Sequence, residues 1–95
     1  MEPKYRTLET IYEIVKDKPN PHTYQCTPRQ IILRQLQEWD IILQHLHLLS
    51  EEGFVSIKKI ENSVGILITE NGMEKIKSFL DRSSTNKTKK DDKNN

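Results

Sequence analysis

The sequence predicts an α+β fold that is mostly helical: three helices, a two-stranded β-hairpin and a closing helix. Three observations carry that prediction. Ile42, Leu46 and Leu49 recur at steps of four and three, which gathers them on one helical stripe. Gly53 follows where a helix end favours positive φ, and Phe54 and Val55 come at once as the start of a buried strand. Farther on, apolar residues on either side of Asn62-Ser63 read as the two arms of a hairpin.

Leu8, Ile11, Tyr12 and Val15 keep spacings of three and four, so a first helix is expected over about Tyr5–Lys16. Asp17-Lys18-Pro19-Asn20-Pro21 ends it, because proline lacks an N–H and turns the preceding residue away from α conformation. A loop continues to about Cys26. Thr27-Pro28-Arg29-Gln30 then supplies an N-cap, a proline at the first helical position and a glutamine able to close a capping box. Ile31, Ile32 and Leu36 are expected on the buried side of this second helix. No glycine or proline marks a turn near Gln37-Glu38, and a single helix running on through Leu49 would also keep its apolar seam. A break is favoured, because about 25 residues at 1.5 Å per residue would reach roughly 37 Å, more than so small a core covers.

In the hairpin, Val55, Ile57 and Ile60 are expected to face Ile66, Leu67 and Ile68. The turn falls at Asn62-Ser63, with Gly65 available for positive φ near the tip. Thr69 is placed to cap a last helix from Glu70 to about Leu80, with Met73, Ile76 and Leu80 inward and Gly72 permitting close approach. From Arg82 to Asn95 no apolar residue occurs. The domain is therefore expected to span 1–81, and 82–95 to be a disordered polar tail rich in Lys and Asn.

With 95 residues, 34% hydrophobic and 31% charged, the chain has material for one small domain. MEPKYR has no apolar h-region, and no apolar run approaches the roughly 18 residues of a membrane span. A cytoplasmic protein without membrane contact is expected, and the single Cys26 agrees with a reducing compartment. Residues 1–80 hold ten Lys or Arg against eleven Asp or Glu, so the folded part lacks the basic excess that by itself announces nucleic-acid binding. His45 and His47 stand about 200° apart on a helix, and His22 with Cys26 lacks a third ligand, so no metal and no cofactor are expected. Cys26 precedes a helix amino end, where a thiolate would be stabilised, but a quiet, partly buried thiol is the expectation. Nothing in the spacing composes a catalytic set, so the chain is not expected to be an enzyme.

Helix, loop, capped helix, turn, helix, strand, turn, strand, helix resembles the order of winged helix-turn-helix domains, and two fragments carry the likeness. The leucine-spaced helix closing on Glu51-Glu52-Gly53-Phe54-Val55 is similar to the end of the recognition helix in MarR-like and PadR-like transcriptional regulators. Ile68-Thr69-Glu70-Asn71-Gly72 is similar to the Leu-Thr-Glu-x-Gly start of the helix after their wing. The likeness covers about residues 5–80 and departs from the families in lacking the small residue and glycine turn before the recognition helix. It implies a small DNA-binding protein of transcription regulation, a dimer with double-stranded DNA as partner.

The side chains modify that inheritance. Opposite Ile42, Leu46 and Leu49 lie Asp40, Gln44, His47 and Glu51, and no Lys or Arg occurs between Arg34 and Lys58. A polyanion meets repulsion along such a helix. The candidate DNA contacts are Arg29 and Arg34 on the second helix, Gln44 and His47 on the third, and Lys58 and Lys59 on the first wing strand. Adjacent lysines on a strand face opposite ways. The apolar arc of the third helix, with Trp39, Ile41, Leu43 and Leu48 on its shoulders, spans roughly 200°. The first and last helices are expected to cover those shoulders within one subunit. The alternative is a protein-interaction module without DNA binding, in which this helix docks on a second copy or a partner protein.

Overall fold

The computed structural model describes residues 2–88, with side chains as far as Asp81; residues 89–95 of the expected tail lie outside the described residues. The fold is α+β, with helices α1 (Pro3–Val15), α2 (Pro28–Gln35), α3 (Trp39–Glu51) and α4 (Glu70–Thr88) and an antiparallel pair, β1 (Val55–Ile60) and β2 (Ser63–Ile68). This order of elements is compatible with a winged-helix layout. Among the described residues no helix is long and apolar enough to cross a membrane.

Proline in the first turn of α1, where an N–H has no partner to lose, lets the helix begin at Pro3 rather than Tyr5. Its buried face holds Thr7, Leu8, Ile11, Ile14 and Val15, so Ile14 takes the place expected for Tyr12, which is half-buried. The loop after it contains a short 3₁₀ turn, Pro21–Thr23, and then an unforeseen pairing. Cys26 and Ile66 exchange N–H···O bonds of 2.8 and 2.9 Å, which lays a third extended segment beside β2.

The capping box of α2 is closed in both directions. Gln30 N–H donates to Thr27 Oγ1 at 3.2 Å, and Thr27 N–H donates to Gln30 Oε1 at 2.9 Å. The helix stops at Leu36, which adopts φ 54° and ψ 46°, so α2 and α3 are separate and the turn is made without glycine. This corrects the expectation that Leu36 is buried: it is 85% exposed, and Ile31 alone of the three residues is fully buried. The left-handed conformation swings its side chain away from the stripe it would have joined in a continuous helix. Leu36→Gly should therefore raise stability by about 1 kcal/mol, since glycine adopts this conformation without the steric cost. A rise in the urea midpoint at constant slope checks it.

Ile42, Leu46 and Leu49 of α3 are fully buried, and Gly53 takes φ 82° as the helix ends. The hairpin register pairs Val55 with Ile68, Ile57 with Ile66 and Ile60 with Ser63, so the connecting residues are Glu61-Asn62, one position earlier than expected. Glu61 carries the positive φ there, at 34°, and Gly65 does not. Gly65 serves close packing instead, lying against the Gln25 side chain and 2.8 Å, measured from where a Cβ would be, from Ile60 Cδ1. Ile60 stays 43% exposed, off the core face.

Thr69 caps α4 as expected and also ties it to the end of α3. Its hydroxyl accepts from Gly72 N–H at 3.0 Å and donates to Gly53 O at 2.6 Å, while its own N–H donates to Phe54 O at 3.0 Å. The α4 backbone continues to Thr88, beyond the expected end at Leu80, and neither glycine nor proline occurs after Gly72 to stop it. Lys75 of α4 projects over three rings, Tyr5 at 5.4 Å, Phe54 at 5.9 Å and Phe79 at 5.3 Å, joining α1, the approach to β1 and α4 around one cation.

Candidate nucleic-acid interface

The amino ends of α2 and α3 and one face of the hairpin converge on a cleft of about 410 Å³. Pro28 opens α2 there, Trp39 and Leu43 come from the first turns of α3, and Lys59 and Val64 come from the strands. The positions follow from local rules. Trp39 and Leu43 are one helical turn apart, and Lys59 is the register partner of Val64, on the β1 face shared with Val55 and Ile57. Arg29, next after Pro28, is exposed; Glu61 also lines the cleft and sets one negative charge against Lys59.

The structure divides the remaining candidates. Arg34 sits near the other end of α2 and lines a separate groove beside Arg6 of α1, so it does not share the cleft with Lys59. Lys58 pairs with Gly65 on the opposite face of β1. Gln44 and His47 are exposed in α3, as are Asp40 and Glu51. Neither Asp40 nor Glu51 makes an ion pair among the described residues. Glu52 is different, for it turns to α1, where it pairs with Lys4 and accepts from the Tyr5 hydroxyl at 3.1 Å. The hydrogen bond from Lys4 holds its carboxyl below the ordinary carboxylate value. That tertiary engagement had no local signal, since Glu51 and Glu52 read alike in sequence.

The apolar shoulders of α3 divide as well. Trp39 and Leu43 are half-buried at the cleft, whereas Ile41 is 39% and Leu48 46% exposed. The expectation that the first and last helices cover both shoulders therefore fails for Ile41 and Leu48. Among the described residues α1 is the helix that packs most broadly on α3, and α4 lies mainly against α1.

His45 marks the α1–α3 seam, its Nδ1 standing 2.8 Å from the Oγ1 of Thr7, which is fully buried. Burial lowers the imidazole pKa below its ordinary 6.5, so the folded chain favours the neutral ring. The stability this contributes is present above pH 6.5 and is lost as pH falls below it through the depressed folded value. Thermal melts between pH 8 and 5 should show that decline, flattened in His45→Gln; equal slopes in the two proteins would contradict it. Cys26 is fully buried, and burial pushes its thiol up to about 11, against the thiolate-stabilising effect of the nearby helix end.

Among the described residues no group of three or more His, Cys, Asp or Glu could hold a metal ion. The chain matches no protein-family model and no curated protein.

Proposed function

We propose that this chain is a small winged-helix transcriptional regulator that binds double-stranded DNA through the amino end of α2 and the wing, with α3 held out of the groove. The observation that carries this reading is the convergence of the α2 amino end with Lys59 of the wing on one cleft. The positive dipole end of α2 suits phosphate oxygens even with its capping box closed, and Arg29 and Lys59 add full charges. The exposed Asp40 in the first turn of α3 and Glu51 in its last argue against this helix entering the major groove, so phosphate contacts rather than base contacts dominate. A cytoplasmic setting fits the free, buried thiol of Cys26.

The test is binding of the full chain to mixed-sequence duplex at low salt, followed by fluorescence anisotropy. Affinity should fall with added salt. Lys59→Glu and Arg29→Glu should each weaken binding roughly tenfold and flatten the salt slope by about one counterion. No binding at low salt, or binding indifferent to salt, refutes this reading.

A second reading rests on a different observation, the exposure of Ile41 and Leu48 on α3 together with Leu33 and Leu36 on α2. Here the chain docks on a second copy or a partner protein through α3. Sedimentation distinguishes it, because a homodimer through this surface is lost in Leu48→Glu while a monomer is unmoved.

A further inference from the structure

The groove between α1 and the turn joining α2 to α3 has a volume of about 500 Å³ and a mixed chemistry that DNA binding does not use. Arg6 and Arg34 line it, and so do Glu9, Gln35 and Leu36. None of the three charged groups makes an ion pair among the described residues. Gln35 Oε1 is closed off from solvent and has no hydrogen-bond partner, the only buried side-chain polar atom so placed among the described residues. Leu36 adds an apolar surface that is 85% exposed at the same groove.

We propose that this groove binds a small zwitterion of the α-amino-acid class with an apolar side chain. The carboxylate meets the guanidinium groups of Arg6 and Arg34, whose planar N–H donors suit a carboxylate. The ammonium meets Glu9, and the side chain covers Leu36. A simple anion would leave Glu9 as a repulsion, and a simple cation would face two arginines. A ligand carrying both charges on one carbon satisfies the arginines and Glu9 together. The volume lies in the range of small-molecule sites. This inference is independent of DNA binding and is tested without it.

The experiment screens the full chain by thermal shift against the twenty common L-amino acids at roughly 10 mM, since a ligand bound only by the folded state raises the melting temperature in proportion to its affinity. At least one amino acid with an apolar side chain should raise it with concentration. Titration calorimetry then compares that amino acid with its carboxamide and its N-acetyl form, each of which should bind roughly tenfold or more weakly, having lost one charge. Arg6→Gln and Arg34→Gln, at exposed positions, should melt like the parent without ligand and lose affinity by a similar factor. The proposal is overturned if no amino acid shifts the melt, if the carboxamide and N-acetyl forms bind as well as the parent ligand, or if both arginine variants bind it unchanged.

Discussion

Gly72→Ala should lower the melting temperature by roughly 15 °C, about 3 kcal/mol in a domain of this size. Helix propensity alone points the other way, since alanine inside a helix is favoured over glycine by about 1 kcal/mol. Geometry decides the sign. A Cβ at position 72 would run into the carbonyl oxygen of Phe54 and stand 3.0 Å from both the Phe54 carbonyl carbon and Ile68 Cγ1. That oxygen already accepts the Thr69 N–H, and Thr69 is tied to Gly53 and Gly72, so backbone on both sides of the contact is fixed. Gly65→Ala provides the comparison, because the atoms its Cβ would meet are side-chain ends of Gln25 and Ile60, which can swing aside. A variant at position 72 as stable as the parent would show that the first turn of α4 does not pack on Phe54.

Leu46→Ala is the second large effect. Leu46 is fully buried, in the stripe with Ile42 and Leu49, and its truncation should cost about 3 kcal/mol from lost burial and the cavity left behind. Total stabilities are only about 5–15 kcal/mol, so the variant should be partly unfolded on mild warming. Leu48→Ala, two positions on, should change stability by no more than about 0.5 kcal/mol, because that leucine is 46% exposed in the single chain. Urea midpoints of the two variants measure the difference. A large loss at Leu48 would mean that the residue is covered in solution by something other than this chain's own helices.

The parts of the fold legible in the sequence are those decided within a few residues. The capping box at Thr27, the glycine stop at Gly53 and the Thr69 cap are each set by neighbours three or four positions away, and the structure reproduces them. Leu36 misled because an apolar residue at a turn looks like a core residue of a longer helix until its φ is known. Ile41 and Leu48 misled for another reason: a wide apolar stripe reads the same whether or not a neighbour arrives to cover it. The candidate basic residues were identifiable by type, but their separation onto different faces depends on how α1, α2 and the hairpin come together. No local pattern encodes that. Cys26 pairing with Ile66 was hidden likewise, since a single bridge leaves no alternation to detect.

That bridge has a consequence for solubility. A lone hairpin has two open flanks of unpaired N–H and C=O groups, each a template for strands of other molecules. The β2 flank is closed midway by the Cys26 backbone, with the Gln25 side chain lying over Gly65. Among the described residues the β1 flank has no such cover, and it is there that Lys58 and Lys59 stand exposed, placing like charges in the path of any copy trying to extend the sheet. One side of the hairpin is guarded against aggregation by paired backbone and the other by repulsion, so the two lysines have work to do even when nothing is bound.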